Sequence, residues 1–192
     1  MSRIIAGSRR GRRLATPPGQ RTRPTSDRVR EALFAVITSW AGTAGSGPDQ
    51  ALAGLACCDL YAGSGAVGLE AASRGAASVL LVESDRRSAR IITDNARELD
   101  LDVRVRTGRV EDVVAAPPPG PFDVVFADPP YELASPRLSA VLATMVEQKW
   151  IADDALVIVE RSSRSEPLSW PEAPADVWSK EYGETVLHFW QR

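Results

Sequence analysis

Four consecutive residues, Asp128-Pro129-Pro130-Tyr131, combine a carboxylate, two ring-locked positions and an aromatic. They follow an apolar run, Phe122–Ala127, that reads as a buried strand. At a strand's end this set makes a stiff polar ledge beside a stacking face. Such a ledge suits a planar ring that carries an amine, such as a nucleobase. An exocyclic amine is a poor nucleophile because its lone pair is delocalised into the ring. The Asp128 carboxylate and the Pro129 carbonyl can accept its two hydrogens and favour a pyramidal nitrogen. Pro129 and Pro130 fix the backbone and add no competing donor. Tyr131 can stack on the ring, and Asp128 can take the surplus proton late. A plain turn after a strand uses the same residue types.

A second cluster lies upstream. Asp59-Leu60-Tyr61-Ala62-Gly63-Ser64-Gly65-Ala66-Val67-Gly68 ends one apolar run and enters another segment of helical character. Gly63, Gly65 and Gly68 have the G-x-G-x-x-G spacing, and Glu83 lies twenty residues after Gly63. Glycines let a backbone turn sharply and approach a ligand closely, and an acid at that distance can accept from ribose hydroxyls. Tight-turn glycines with a surface glutamate are the bland alternative. Two nucleoside cofactor classes use such a loop: dinucleotides and S-adenosyl-L-methionine. Asp59, just before the glycines, opposes a pyrophosphate but suits the ammonium of a methionine moiety. Asp59 could equally serve as a partner for the following helix N-terminus.

These residues need a frame. From Leu55 onward strands and helices alternate: strands at 56–61, 78–83, 103–107, 122–127 and 155–160, helices at 66–74, 86–99 and 136–147. The alternation predicts an α/β fold with a mainly parallel sheet covered on both faces. The tail differs, because 177–181 and 185–190 flank Tyr182-Gly183-Glu184 and read as an antiparallel hairpin. Before the sheet, a helix starts at Thr25 or Ser26, both suitable N-caps. Its buried stripe is Val29, Ala32, Leu33, Val36, Ile37 and Trp40, with Arg28 and Arg30 off it. Residues 41–50 read as a flexible connection. Cys57 and Cys58 are adjacent, so a strand points them to opposite faces as two buried apolar side chains. That usage fits a reducing cytoplasm. No apolar run approaches the roughly 18–20 residues of a membrane helix. The Arg-rich start lacks the apolar segment of a secretory signal. His188 is the only histidine, a core or hairpin residue, so neither a metal site nor a histidine triad can be assembled.

The net charge of −2 hides an asymmetry. Residues 1–30 carry nine arginines and one acid, Asp27, giving +8; the other 162 residues carry 14 basic and 24 acidic groups, giving −10. Residues 1–24 therefore read as a basic arm or β-hairpin, and residues 25–192 as the body. Arg9, Arg10, Arg12 and Arg13, with Arg21 and Arg23, suit a polyanion met by one end only, and a merely solvated basic tail is the bland alternative. Arginine adds bidentate contacts and stacking that lysine does not match.

Asp-Leu-Tyr-Ala-Gly-Ser-Gly at 59–65 and Asp-Pro-Pro-Tyr at 128–131 resemble class I S-adenosylmethionine-dependent amino-methyltransferases. More narrowly the chain resembles the RsmD family, bacterial methyltransferases acting on a guanine N2 amine of 16S ribosomal RNA. The narrower likeness rests on Arg3–Gly7, Arg23–Phe34, and Gly65–Ala71 followed by Ser73–Ala76. It implies a Rossmann-like, seven-stranded sheet whose last strands are antiparallel. It implies S-adenosyl-L-methionine held by Asp59, Tyr61, Gly63, Gly65, Glu83, Ser84 and Asp128. The amine is then held by Asp128 and Pro129 under Tyr131, and the segment Arg23–Asp27 lies near the cofactor mouth. The chain departs from many relatives where an acid or amide faces the adenine amine, because Arg109 stands there. The Val110 backbone or Asp112 is the alternative contact. The implied partner is 16S RNA, within a small subunit or assembly intermediate, met by a monomer in the cytoplasm. The target base must leave its stack, or be single-stranded, to reach Asp128. The residues themselves leave three rivals: a DNA adenine or cytosine methyltransferase, a dinucleotide-dependent oxidoreductase and a non-catalytic RNA-binding protein.

Overall fold

The computed structural model describes residues 2–17 and 26–192. Seven strands form the main sheet: β3 (Ala56–Leu60), β4 (Ser78–Glu83), β5 (Arg104–Thr107), β6 (Phe122–Ala127), β7 (Ile151–Ser162), β8 (Asp176–Tyr182) and β9 (Thr185–Gln191). Their order across the sheet is β5-β4-β3-β6-β7-β9-β8. All neighbours are parallel up to β7, and β9 runs antiparallel to both β7 and β8. The turn at Tyr182-Gly183-Glu184 pairs β8 with β9 antiparallel, and the second strand of this hairpin, β9, lies beside β7.

The parallel strands are buried on both faces, so their side chains divide between two cores. Cys58, Leu60, Val125, Ala127, Val157 and Val159 meet α4 (Val110–Val114) and α5 (Ser135–Glu147) on one face. Cys57, Val124, Phe126, Leu156 and Ile158 meet α1 (Asp27–Trp40), α2 (Ala66–Ser73) and Ile92 of α3 (Arg86–Glu98) on the other. The two cysteines are buried, free and on opposite faces. Ser26 caps α1, accepting from the Val29 N–H at 3.3 Å. The helix buries Val29, Leu33, Val36 and Ile37 as the spacing predicts.

Several details depart from the sequence reading. Arg30 is fully buried rather than off the stripe. α4 was not expected: its Val110, Val113 and Val114 have helical spacing, but five residues are too few to display a period. β7 extends to Ser162, beyond the expected Glu160, because β9 continues to pair with it through Thr185.

β1 (Ser2–Arg3) and β2 (Arg13–Leu14) form a separate antiparallel pair. This hairpin is docked onto the body. Ile4 and Leu14 are buried against Ala66 and Leu69 of α2 and Ala96 and Leu99 at the end of α3. The Glu70 carboxylate, itself fully buried, accepts from the Ile5 and Ala6 N–H groups at 2.7 and 2.8 Å. Arg30 donates to the Arg3 and Ala66 carbonyls at 2.8 and 3.3 Å and pairs with Asp27 at 2.7 Å. Gly7, at φ +82°, lies so close to α2 that a Cβ would fall 1.9 Å from the Ser73 carbonyl oxygen. Of the expected phosphate-facing arginines, Arg21 and Arg23 lie outside the described residues.

Candidate active site

The strand order reverses direction between β3 and β6, where open parallel sheets present a crevice at the carboxyl ends of their strands. The two sequence clusters meet there. Leu60 pairs with Ala127, and the Asp128 N–H donates to the Leu60 carbonyl at 3.4 Å. The residues after β3 are the glycine loop, and those after β6 are the Asp128–Tyr131 ledge. Sheet register alone makes them neighbours.

The loop is held by the acids the sequence singled out. Tyr61, Gly63 and Gly65 have φ of 60°, 55° and 76°, a left-handed path that glycine tolerates and tyrosine rarely adopts. Glu83, at the end of β4, accepts from the Gly63 N–H at 2.7 Å through one oxygen and from the Asp85 N–H at 2.7 Å through the other. The Ser84 hydroxyl donates to Glu83 at 3.4 Å. A Cβ at Gly68 would sit 2.5 Å from a Leu81 methyl, so this glycine permits the close seating of α2 on β4. Asp59 is 3% exposed and accepts from the Gly68 N–H at 2.8 Å. The helix-partner reading of Asp59 is therefore real. Burial drives its carboxyl up to about 7, against the Gly68 bond, and the Glu83 charge adds to the rise.

Asp128 is half-buried, Pro129 buried and Pro130 exposed. Burial holds the Asp128 carboxyl well above the ordinary carboxylate range; Glu160 and Asp59 push it further, and Arg161 opposes them. Tyr131 is 66% exposed, a large ring turned to solvent beside the ledge. A shallow cleft runs from Asp128, Pro129 and Tyr131 to Glu160 and Arg161. Those last two residues were missed by sequence reasoning, although charges closing an apolar strand were a usable signal. Arg161 is buried, with its Nε unpartnered among the described residues and its terminal nitrogen 3.5 Å from the Ser135 hydroxyl. Tyr61 packs partly buried against the core on the α4 and α5 face, and its hydroxyl too has no partner among the described residues. Burial and the Glu111 charge raise its ionisation well above that of an ordinary phenol.

On the far side of the loop, Gly108 donates to the Glu83 carbonyl at 3.0 Å, which brings the start of α4 to the crevice. Arg109 is exposed and 3.8 Å from Glu111, which Arg137 also meets at 3.0 Å. The Val110 side chain is buried in the core, so only its backbone remains for a ligand. Asp112 is exposed.

The arginines of the hairpin divide. Arg10, Arg12 and Arg13 are exposed. Arg9 is half-buried and engaged: it donates to the Leu99 carbonyl and, at 3.1 Å, to the Asp100 carbonyl, closing the C-terminus of α3. His188 lies in β9 with its Nδ1 2.9 Å from the Ser179 hydroxyl. A cavity of about 590 Å³ opens at the amino ends of the strands, among residues such as Ser78, Arg104 and Phe122, at the opposite end of the sheet from both clusters. Among the described residues no helix is long and apolar enough to cross a membrane.

A doubly wound seven-stranded sheet with a reversed penultimate position, a glycine loop after β3 and an Asp-Pro-Pro-Tyr ledge after the adjacent β6 defines the class I methyltransferase fold. The family model described as Conserved hypothetical protein 95 matches residues 2–191, and the chain belongs to that family, the RsmD family resembled in sequence. It is 34% identical to Ribosomal RNA small subunit methyltransferase D of Escherichia coli K12 over 99% of this chain and 89% of that protein. It is 35% identical to the protein of the same name from Haemophilus influenzae, over 88% and 83% of the two chains. The solved structure of yhhF from Escherichia coli superposes with a TM-score of 0.83 at 34% identity, covering 99% of this chain and 97% of that one.

Proposed function

We propose that this chain transfers a methyl group from S-adenosyl-L-methionine to the exocyclic N2 amine of one guanine in 16S ribosomal RNA. The observation that carries the reading is the junction of loop and ledge through Leu60, Ala127 and Asp128. The names of the Escherichia coli and Haemophilus influenzae relatives support ribosomal RNA as the substrate.

The crevice fits the methyl donor chemically. Gly63 and Gly65 keep side chains out of the loop, and Asp59 disfavours a pyrophosphate there. Asp59, raised to about 7 by burial, regains its charge by facing the ammonium of the methionine end. Glu83 and Ser84 take the ribose side, and Tyr61, Arg109 and the Val110 backbone flank the adenine side. The bound sulfonium supplies the electrophilic methyl and the driving force. Asp128 and the Pro129 carbonyl hold the two amine hydrogens, and Pro130 stiffens the turn. Tyr131 stacks on the flipped base. The rate comes mainly from this alignment. A carboxyl held above the usual range is a better proton acceptor, so Asp128 takes the proton released as the new N–C bond forms.

Arg10, Arg12 and Arg13, with Arg21 and Arg23, contact phosphates and position the RNA. Arg9 anchors the hairpin that presents them. Residues 1–24 serve as the RNA-contacting arm and 25–192 as the catalytic body, acting as a monomer in the cytoplasm on a small subunit or an assembly intermediate. Labelled S-adenosylmethionine incubated with small subunits, naked ribosomal RNA and DNA tests this. We expect label in 16S RNA, at a nucleotide mapped by comparing RNA from cells with and without the protein. Label in DNA adenine or cytosine, or at another guanine atom, would overturn it.

A further inference from the structure

α3 opens on arginines. Its first eight residues, 86–93, carry Arg86, Arg87 and Arg90 and no acid. All three arginines are exposed, and none forms a salt bridge among the described residues. Asp85 is the nearest acid in the chain, and it is engaged as the helix cap, accepting from the Ser88 N–H at 2.8 Å. The Ser88 N–H and hydroxyl hold its carboxyl below the ordinary range, and the Arg87 charge adds a smaller share.

Helix stability does not account for this placing. The start of a helix carries partial positive charge, so its first turn favours acids and disfavours cations. α3 has the reverse. Nor is the rest of the body basic, since residues 31–192 carry a net charge of −10. A local rule broken without structural gain points to function.

Position supplies the reason. α3 begins just after Glu83, whose carboxylate holds the glycine loop, so Arg86 and Arg87 stand beside the crevice. The N-terminal hairpin docks at the other end of the same helix. Ala15 and Asn95 exchange two hydrogen bonds of 2.9 Å, Arg12 reaches the Glu98 carbonyl at 3.5 Å, and Leu14 is buried with Ala96 and Leu99. One helix thus joins hairpin and crevice over roughly 20 Å, about six nucleotides of a helical strand. Arg86 and Arg90 are one turn apart and share a flank. Farther along, Asp94 pairs with Arg97 at 2.9 Å, so the excess positive charge lies at the crevice end.

Resting on the methyltransferase reading above, we infer that Arg86, Arg87 and Arg90 form a second RNA-binding surface, which holds backbone phosphates of the substrate strand between the hairpin and the crevice. Such contacts position the target nucleotide without reading its sequence. The hairpin arginines and the ledge then act on one continuous stretch of RNA.

The test combines Arg86→Gln, Arg87→Gln and Arg90→Gln, which removes charge and keeps good helix formers. Binding to naked 16S RNA should weaken about 10- to 100-fold near about 0.1 M salt, and the slope of log affinity against log salt should fall by about 2. In methyl transfer the KM for RNA should rise, with kcat within about threefold of wild type. S-adenosylmethionine affinity should not change, and the denaturant midpoint should hold or rise, because cations have left the helix start. Lys149→Gln with Lys180→Gln is the charge control, exposed before β7 and on the outermost β8. It should lower the slope by less than about 0.5. An unchanged slope in the α3 variant, an equal loss per charge in the control, or a fall in cofactor affinity would overturn the inference and leave the proposed activity standing. So would a loss confined to assembled subunits, which would assign this face to a ribosomal protein. A wild-type chain that transfers no methyl to 16S RNA would instead overturn the proposed activity itself.

Discussion

Replacing Asp128 with asparagine separates holding the amine from receiving its proton. Asparagine keeps the volume and one carbonyl acceptor in the junction beside Leu60, but cannot take a proton. A hydrogen bond to an ionised acceptor is worth about 1.5–3 kcal/mol and a neutral one about 1, so the weaker grip costs roughly 1–2 kcal/mol, or about 5- to 30-fold. Losing the proton acceptor adds about 100-fold, the low end of the general-base range, because the proton leaves late. The expected fall in kcat is about 10³-fold, with cofactor and RNA affinities within about threefold of wild type. The pH profile supplies a second readout. Asp128 must be ionised to accept, so the wild-type rate falls as pH drops through its raised pKa. The Glu160 and Asp59 charges, after burial, push that acid limb upward. In Asp128→Asn it should flatten. Single-turnover transfer to small subunits across pH, with equilibrium binding measured in parallel, gives both quantities. A kcat within tenfold of wild type, or an unchanged acid limb, would refute the assigned role.

Three further outcomes are expected. The raised Asp59 carboxyl stabilises the folded chain in acid, and that contribution is lost as pH rises through about 7. Asp59→Asn should therefore raise the free energy of unfolding at pH 8 by about 2–4 kcal/mol, shrinking toward pH 4, while weakening S-adenosylmethionine binding. Denaturant titrations at several pH values check this, and a pH-independent gain would contradict it. Replacing Arg10, Arg12 and Arg13 with alanine should lower the slope of log affinity for RNA against log salt by about 2. Arg9→Ala should instead lower stability, because its guanidinium binds the Leu99 and Asp100 carbonyls. Arg30→Met preserves bulk but strips donors from the Arg3 and Ala66 carbonyls and leaves Asp27 with Arg3 as its remaining arginine partner, which should cost about 3 kcal/mol in chemical denaturation. A loss below about 1 kcal/mol would mean those carbonyls find other donors.

Much of the molecule is written in local pattern. The strands at 78–83 and 122–127 fall where the apolar runs predict them, because a strand buried on both faces must be continuously apolar. Helix starts and the closing hairpin were equally legible, since caps and turns act within a few residues. The hairpin at the N-terminus was half-legible: its basic charge showed, but not its docking. Ile4 and Leu14 are too few to display a period, and their partners Leu69 and Leu99 lie far along the chain.

Sequence by itself determined the chemical parts: an acid before a glycine loop, a second acid twenty residues on, and a stiff ledge with an aromatic. Only the tertiary structure decided their company. The pairing of Leu60 with Ala127 brings the Asp59 loop beside Asp128, and the pairing of Ala127 with Val159 adds Glu160. Register between distant strands follows from the order of the whole sheet, which no short segment encodes. Burial of charge is likewise non-local. Arg30 and Glu70 look like surface residues until the hairpin's backbone groups arrive to satisfy them. The same logic ties Arg9 to the Leu99 and Asp100 carbonyls and leaves Arg10, Arg12 and Arg13 exposed.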